Sequence, residues 1–573
     1  MKGMIGKMFI VLGLLAPAMV SVADVSSSAV MDGEELSSNL PLVLITTEGN
    51  INADSKVAGW MKIIDHGEGK RNVVTDTLFN YNGRIGIKWR GNSSLSFEQK
   101  KYTLETQDAE GNDQKASLLG MPQESDWVLL APYNDISLVR DCFAFSMWNE
   151  MGHWGPRTRM CEVTVNGEYM GVYVLSEQIK RDKNRVDIAK LKEDDLEGRE
   201  LTGGYIVRVD AFDDGDATFT SKVRGIQPSM WSGGNNSGTV TWTVYYPKKK
   251  NLKQEQMDYI SEFVGQVEQS FLQPDAADPA TGYAQWINVP SFVDYFIHTE
   301  LSLNADGYKR SSYFFKDKDG KDGQRGKLEA GPVWDYNLAY GNCNFCNANN
   351  VTAWVYQGCY TNPTPAFWSR LAADKQFMTQ VKQRYAQLRR TILSQEYIND
   401  FFDTYADLLN EAQQRHYKKY SNLLTSGNQG GGWPWWPWGG GQMNPAAAFA
   451  AYFVESYEEE ITTVKNWFGQ RLAFLDREWG YEASTKVEAP RGYFDMEVDV
   501  AANGRRLRLS ASRRLCSVDV FSVSGRQLLH RDVDVASATS CTLPMPTSLP
   551  NVVVVGCTAT DGSYISRICR LKR

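Results

Sequence analysis

The sequence is poor in the residues that build metal centres, and it has no excess of positive charge. Its 573 residues include 5 His and 9 Cys, and the histidines show no metal-ligand spacing. Lys and Arg number 61 against 68 Asp and Glu, a net charge of -7. This acidic balance provides no general phosphate-binding field, so we expect no nucleic-acid partner. Apolar runs after the first 23 residues fall short of the roughly 18 residues that a membrane span needs, so no transmembrane segment is expected.

The overall composition is that of a globular protein. Hydrophobic residues make up 42% and charged residues 23%, which excludes wholesale disorder and a collagen-like fibre. The length allows about three to five domains. Long internal repeats are absent from the sequence.

The first 23 residues are typical of a secretory signal peptide. Lys2 and Lys7 precede the apolar stretch 8–20, and the small residues 21–23 offer a cleavage point. The alternative is an uncleaved anchor. Either interpretation predicts an exported protein, where disulfides can persist.

The cysteines do not indicate zinc binding or a redox motif. Cys343 and Cys346 form a CxxC pair, but the sequence has no second pair for zinc and no thioredoxin-like setting. We interpret this pair as a structural disulfide or a loop feature. Four further cysteines lie near the end of the chain and could form two bridges with three connectivities: Cys516, Cys541, Cys557 and Cys569.

The secondary-structure pattern changes twice along the chain and predicts an α+β protein. Residues 24–486 form one predicted domain that is β-rich to about 250 and helical from about 253, and residues 487–573 form a small all-β sandwich. The predicted strands include 40–47, 59–65, 73–79, 86–90, 101–105, 203–209, 313–316 and 327–330, with a hairpin at 161–175. The predicted helices are 137–151, 254–271, 289–303, 367–424 with a break near Ser394, and 449–479.

Segment 430–441 carries four tryptophans between two glycine triplets. Its prolines, Pro434 and Pro437, favour an extended form. The tryptophans would either pack against the same chain or bind a ligand or partner.

The last domain resembles the C-terminal sorting domain of the type IX secretion system. The resemblance rests on residues 518–529, with a Ser-Gly-Arg turn between strands, and on the closing strand with its basic tail. It implies a secretion-machinery partner, export across the outer membrane, and a location at the outer-membrane surface or outside the cell. The alternative is an ordinary immunoglobulin-like module.

The central part of the chain resembles the spore-coat protein H (CotH) kinase-like family. Five motifs occur in the family's order: 90–94 with 100–102, 127–135 with 140–141, 165–173 with Glu177, 304–306, and 331–335. The resemblance runs from about residue 40 to about residue 479. It implies a two-lobed atypical kinase that uses ATP with Mg²⁺ or Mn²⁺.

Two acidic residues follow one another along the chain in the order found in kinases: a catalytic loop, a hairpin and then a metal-binding carboxylate. Asp306 lies in a loop after a predicted helix, and a predicted hairpin then leads to Asp335. We assign Asp306 as the base or acceptor-orienting acid and Asp335 as a metal ligand. The alternative is that both acids only cap local structure.

Two positions depart from the usual kinase pattern. Ser311 stands where kinases place a metal-binding Asn, and Asn337 stands where many family members carry a second Asp. Both are candidate metal ligands, but they are neutral and bind more weakly. They therefore leave open a nucleotide-binding pseudokinase.

The candidate nucleotide-binding residues lie on three motifs: Arg90, Asn92, Ser93, Ser94, Lys100, Lys101, Glu162 and Glu177. The loop 90–94 can offer backbone N–H groups to phosphate. Only one of Lys100 and Lys101 can face a cleft, because successive strand residues point to opposite sides. The pattern does not decide which one, and either Glu177 or Glu162 would pair with it.

The leading hypothesis is an atypical protein kinase, secreted or surface-exposed, acting on Ser or Thr of a protein substrate. The alternative is a catalytically weak, nucleotide-binding scaffold. A glycan-processing enzyme would need two acids about 5–10 Å apart in an aromatic cleft, and the sequence singles out no such pair.

Overall fold

The computed structural model describes residues 30–31, 34–228, 235–424 and 450–482, and seven C-terminal segments: 496–500, 506–512, 514–522, 527–533, 539–544, 552–559 and 564–570. The described residues combine α-helices with several sheets, and helices and strands occur mostly in separate runs, so the predicted α+β class is confirmed. The predicted signal peptide, the Trp-rich segment 430–441 and the boundary near 487 lie outside the described residues.

Eighteen strands precede the C-terminal part of the described chain. They are β1 (Val30–Met31), β2 (Glu34–Glu35), β3 (Ser37–Ser38), β4 (Leu42–Thr47), β5 (Val57–Ile64), β6 (Asn72–Val73), β7 (Tyr81–Arg90), β8 (Lys101–Gln107), β9 (Asp126–Leu130), β10 (Thr158–Val165), β11 (Glu168–Glu177), β12 (Tyr205–Val209), β13 (Ala217–Thr220), β14 (Gly225–Pro228), β15 (Asn235–Gly238), β16 (Thr241–Tyr246), β17 (Ser312–Lys316) and β18 (Leu328–Ala330).

Nine α-helices are described. They are α1 (Arg140–Glu150), α2 (Gly198–Leu201), α3 (Gln254–Ser270), α4 (Val289–Ser302), α5 (Phe367–Ala373), α6 (Lys375–Arg389), α7 (Gln395–Leu409), α8 (Ala412–Lys419) and α9 (Tyr457–Trp479).

Seven strands close into a barrel in the order β10-β11-β9-β8-β7-β5-β4. Parallel pairing of β4 with β10 completes the ring. The predicted hairpin forms β10 and β11, and its turn residues Asn166 and Gly167 have φ values of 52° and 84°, as an Asn-Gly turn requires. Alternate apolar residues such as Ile85 and Ile87 fill the interior.

A second, five-stranded sheet has the order β13-β16-β12-β17-β18. Helices α1, α4, α6, α7 and α9 share one apolar cluster with this sheet. The predicted strand 73–79 was wrong, since only Asn72–Val73 is a strand. A turn at Asp76, whose carboxylate accepts a hydrogen bond from the Val73 N–H, interrupts it.

The long predicted helix 367–424 is divided into four helices rather than two. Asp374 caps α6 by accepting the N–H groups of Gln376 and Phe377, and Ser394 caps α7. Helix α9 begins at Tyr457 instead of 449, because Ser456 caps it through the Glu459 N–H. Polar capping side chains therefore moved the boundaries that apolar periodicity suggested.

The described C-terminal residues form seven strands, as an all-β region predicts. They are β19 (Met496–Val500), β20 (Arg506–Ala511), β21 (Leu515–Ser522), β22 (Gln527–Asp532), β23 (Ser540–Pro544), β24 (Val552–Ala559) and β25 (Tyr564–Arg570). Sheets β19-β20-β23 and β22-β21-β24-β25 contribute to one apolar cluster. Strands β19 and β23 were missed by the sequence analysis.

One disulfide joins Cys346 to Cys359, whose Cα atoms are 5.3 Å apart. Of the CxxC pair, interpreted as a structural disulfide or a loop feature, Cys346 is therefore in a disulfide with a cysteine outside the motif, and Cys343 is a buried free thiol. The four C-terminal cysteines are also free thiols in the described segments.

None of the described helices combines the length and the apolar character required to cross a membrane.

Candidate active site

An ion pair connects the barrel to the loop that follows β18. Lys101 begins β8, and its Nζ lies 3.2 Å from Oδ1 of Asp335. Tyr102 and Leu104 lie two positions apart on β8, and both belong to the core cluster of the barrel. Lys101 and Tyr102 must therefore point to opposite sides of the strand, which directs Lys101 outward to Asp335.

Lys100 has a different role from its neighbour. Its Nζ donates hydrogen bonds to the carbonyl oxygens of Leu95, at 2.7 Å, and Phe97, at 2.5 Å. Burial lowers the pKa of Lys100. Lys100 thus holds the loop before β8, and Lys101 is the lysine that faces the candidate site.

Arg90 lies beside Lys101 on the same face of the sheet. The two residues are direct cross-strand partners between β7 and β8. The Arg90 guanidinium lies 5.2 Å from the ring centroid of Trp334, the residue before Asp335. Its Nη1 is buried and has no hydrogen-bond partner among the described residues. A buried unpaired donor of this kind suits an anionic ligand.

The loop after Arg90 is compact. Gly91 has φ of 121°, and a Cβ atom there would meet Ser94 Oγ at 2.0 Å. A short 3₁₀ turn follows at Ser93–Ser96. Ser94 is buried, whereas Asn92 and Ser93 are exposed. Asn92 and Ser93 can therefore still reach a ligand, and Ser94 serves the loop itself.

Asp335 sits in an unusual backbone conformation. Its φ is 62°, in the left-handed region that residues other than glycine seldom adopt. Asn304 supports the loop, because its Nδ2 donates to the Asp335 carbonyl at 3.3 Å. The Trp334 ring stacks on Phe145 with centroids 5.6 Å apart. Strain held by such supports is common at functional sites.

Asp306 approaches Asp335 as the order of elements predicts. It follows α4, and its N–H donates to Asn304 Oδ1 at 3.1 Å, so Asn304 contacts the loops of both acids. Burial raises the pKa of Asp306, the ammonium of Lys309 opposes that rise, and the Asp335 carboxylate adds to it. The two acids therefore interact electrostatically.

No role was predicted for Asp141 from the sequence, although it lies in the family-like motif at 140–141. Its Oδ1 accepts the Tyr336 N–H at 2.5 Å, directly after Asp335. Burial, together with the Asp335 carboxylate, raises the pKa of Asp141 to about 7. Asp141 and Asp335 therefore form a carboxylate pair that Lys101 only partly neutralises. The only signal in the sequence was the acid directly after Arg140.

Comparison with known families identifies the chain. A family model described as CotH kinase protein matches residues 87–475, more than half of the sequence. The chain belongs to the CotH kinase protein family. A search of curated proteins found no match. The family match includes all the candidate residues from Arg90 to Asn337 and ends before the C-terminal sheets.

Among the described residues, neither Glu162 nor Glu177 pairs with a lysine, although one of the two was expected to pair with the lysine that faces the site. Glu162 accepts hydrogen bonds from Arg415 at 2.7 Å and from Tyr169 at 2.6 Å. Glu177 accepts from the backbone and side chain of Arg157. Both carboxylates are fully buried, so they require a cation close by, and arginines of the folded chain provide it.

The two neutral candidate ligands of this CotH chain already have structural partners. Asn337 Nδ2 donates to Asn134 Oδ1 at 2.7 Å. Ser311 has φ of 47°, and its N–H donates a hydrogen bond to the carboxylate of Asp210. Burial raises the pKa of Asp210, and the Asp335 carboxylate adds to that rise. Asn337 thus belongs to the loop that follows Asp335, whereas the contact described for Ser311 is made by its backbone with Asp210.

The residues of this CotH-family site fit a divalent cation that is shared with phosphate. The described residues contain no group of three His, Cys, Asp or Glu side chains placed to hold a metal alone. Mg²⁺ in phosphoryl-transfer sites is usually bound by one or two carboxylates and by the substrate phosphates. Asp335 and Asp141 provide such a pair. Burial first and the Asp335 carboxylate second raise the pKa of Asp141, and a bound cation would oppose that rise.

Proposed function

We propose that this CotH-family protein is a kinase that transfers the γ-phosphoryl group of ATP to Ser or Thr of a protein. The observation that carries the proposal is the Lys101–Asp335 ion pair, with Asp141 and Asp306 in electrostatic contact with it. Phosphoryl transfer depends on positioning and charge stabilisation rather than on covalent chemistry by the protein. This group of side chains supplies those two requirements.

Lys101 and Arg90 are the proposed phosphate-binding residues. Both are cationic, both extend from one face of β7 and β8, and Arg90 keeps an unpaired buried donor. Asp335 and Asp141 would hold Mg²⁺ or Mn²⁺, and the oxygens of Asn337 and Ser311 are supplementary ligands. A bound divalent cation supplies charge neutralisation for the phosphate oxygens.

Asp306 is the proposed acceptor-orienting acid or base. Its raised pKa makes the carboxylate a better proton acceptor than an ordinary surface Asp. Asn304 fixes the loop on which it stands. In this arrangement Asp306 takes the proton of the Ser or Thr hydroxyl as that oxygen attacks phosphorus.

The setting of the reaction is also part of the proposal. The signal-peptide pattern of residues 1–23 favours export, and the sorting-domain resemblance favours the outer-membrane surface or the extracellular space. The substrate would then be an exported or surface protein, with the secretion machinery as a second partner.

A nucleotide-binding pseudokinase is the second candidate. It is favoured by the neutral residues Ser311 and Asn337 and by the hydrogen bond that commits the Asn337 amide to Asn134. Weaker metal ligation would permit nucleotide binding with little transfer.

Transfer of labelled phosphate separates the two candidates. Purified full-length protein, Asp306→Asn and Asp335→Asn are incubated with γ-labelled ATP and Mn²⁺ or Mg²⁺. We expect labelling by the wild type, a loss of at least about 10²-fold in Asp306→Asn with nearly unchanged Mg-ATP binding, and loss of metal-dependent binding in Asp335→Asn.

Equal labelling by wild type and Asp306→Asn would remove Asp306 from the mechanism. Mg-ATP binding without labelling in any protein would favour the pseudokinase. Unchanged Mg-ATP affinity in Asp335→Asn would contradict the metal assignment.

A further inference from the structure

A groove of about 730 Å³ lies on the helical part of the molecule, outside the ion-pair site. The bridged cysteines Cys346 and Cys359 lie in its wall, and Ile226 and Pro228 of β14 border it. Its volume is within the range of small-ligand and peptide sites. The function proposed above does not use this groove.

Besides the disulfide and β14, the groove is lined mainly by amide side chains and aromatic rings. Its described lining residues include no Lys, Arg, Asp or Glu. Asn347, Asn349 and Gln357 are exposed, while Phe345 and Tyr360 are half-buried. An amide side chain both donates and accepts hydrogen bonds, as a peptide backbone does, and the rings offer apolar contact. This lining suits an uncharged ligand that carries peptide groups.

The groove adjoins the loop of Asp306. A small cavity lined by Asn304, Gly307 and Lys309, residues of that loop, is also lined by Cys346 and Cys359. The same two cysteines line the groove. The disulfide therefore forms a common wall, with the proposed acceptor-orienting loop on one side and the groove on the other.

The wall of the groove is fixed to the core. The fully buried carboxylate of Glu300, on α4, accepts the N–H groups of Val355 and Tyr356 at 2.8 and 2.9 Å. Arg471, on α9, donates to the carbonyl oxygens of Val351 and Ala353. The loop 346–359 is thus held by a disulfide at its ends and by buried charges between them. A rigid wall lowers the entropy lost on binding.

We propose that this groove binds the acceptor protein along an uncharged stretch that flanks the Ser or Thr hydroxyl. The proposal rests on the kinase function proposed above, because that function gives the adjacent Asp306 loop its acceptor. It adds a selectivity: neither acidic nor basic flanking residues are favoured by the wild-type groove.

Introducing a positive or a negative charge at one groove residue tests the proposal. Gln357→Arg and Gln357→Glu are compared with wild type, and Gln123→Arg is the matched control, since Gln123 is an exposed amide in the β8–β9 connection of the barrel. The probe is a positional-scanning peptide library with one fixed Ser or Thr. Labelling from ATP and peptide binding without ATP, measured by fluorescence polarisation, are the two readouts.

We expect wild type and Gln123→Arg to prefer uncharged flanks. Gln357→Arg should shift the preference towards acidic flanks by about three- to tenfold, and Gln357→Glu should shift it equally towards basic flanks. The Mg-ATP affinity should be the same in all four proteins. Identical flank preferences in all four, with labelling retained, would overturn the proposal.

The second readout distinguishes failure of the groove from failure of the kinase. If wild type does not label any peptide but binds uncharged ones with the Gln357-dependent shift, the kinase proposal fails and the binding groove stands. If peptides do not bind and a neutral glucose oligosaccharide does, with its affinity reduced in Gln357→Arg, the groove is a glycan site and the peptide proposal is wrong. Binding of neither probe also overturns it.

Discussion

Two charge clusters link the barrel side of the molecule to its helices, and they are built differently. In the first, Arg140 is fully buried and donates to Asp135 at 2.5 Å and to Glu460 at 2.7 Å, and also to the Tyr452 hydroxyl at 2.7 Å and the Ala339 carbonyl at 3.2 Å. In the second, Lys101 has one close carboxylate, Asp335, whose side chain is 35% exposed. The first cluster is closed, and the second is open to solvent.

The difference lies in burial and hydrogen bonding, because the Arg140 cluster also has two carboxylates for one cation. Arg140 presents its fixed fork of donors to partners placed around it, so its buried charge is compensated within the chain. Around Lys101, one ammonium faces Asp335 while the charges of Asp141 and Asp306 also act at the same place. A partly open site that contains several carboxylates can admit a cation from outside. A cluster of this kind is therefore suited to binding rather than to stability alone.

The closed cluster should show the largest effect on stability. Arg140→Met leaves Asp135 and Glu460 buried without their cation, and we expect the free energy of unfolding to fall by about 3–5 kcal/mol. Urea denaturation measures this. Arg477→Met, which removes the exposed Arg477–Glu478 pair of α9, is the control and should cost less than about 1 kcal/mol. Equal losses in both variants would show that the buried Arg140 cluster contributes no more to stability than an exposed ion pair.

The open cluster should affect ligand binding more than stability. Lys101→Met removes a charged donor from the proposed phosphate site, so Mg-ATP affinity should fall about ten- to hundredfold by calorimetry. Lys100→Met is the matched control on the adjacent residue. It should leave the affinity unchanged and loosen only the loop 95–97. The reverse pattern would exchange the two assignments.

Asp141 offers a direct test of carboxylate charge in the open cluster. Its pKa is about 7 in the folded protein against an ordinary 3.8, so between these pH values the folded state retains a proton that the unfolded state releases. Wild-type stability therefore loses this contribution as pH rises from 4 to 7. Asp141→Asn lacks this titration, so its stability relative to wild type should increase by about 1.4 kcal/mol for each pH unit across that range.

Thermal denaturation of both proteins from pH 5 to pH 8 measures that difference. Glu98→Gln, a change at an exposed acid near the loop, serves as the control and should show a constant offset. A pH-independent difference between Asp141→Asn and wild type would mean that folding does not raise the pKa of Asp141.

Local sequence signals predicted many elements well. The Asn166-Gly167 turn placed the β10–β11 hairpin, and the apolar periodicity placed α3 and α4 to within one residue at each end. Where polar capping decides a boundary, as at Asp374 and Ser456, the periodicity did not report it. Boundaries were therefore less predictable than the existence of the elements.

The order of the motifs predicted that Asp306 and Asp335 belong to one site, but not the companions of these acids. Glu177, with Glu162 as the alternative, was expected to pair with the lysine. Arg415 lies 253 positions from Glu162, and only the folded chain brings it close. Cys359 likewise replaced the nearer Cys343 as the partner of Cys346.

The sequence by itself determined the α+β class, the family, and the types of side chain that meet at the site, since these depend on local periodicity and on short motifs. The tertiary structure alone decided that the barrel closes through β4 and β10, that Lys101 rather than Lys100 faces Asp335, and that Asp141 joins the acids. The reason is physical: strand alternation fixes opposite faces, but which face meets the helices depends on contacts between residues far apart in the chain.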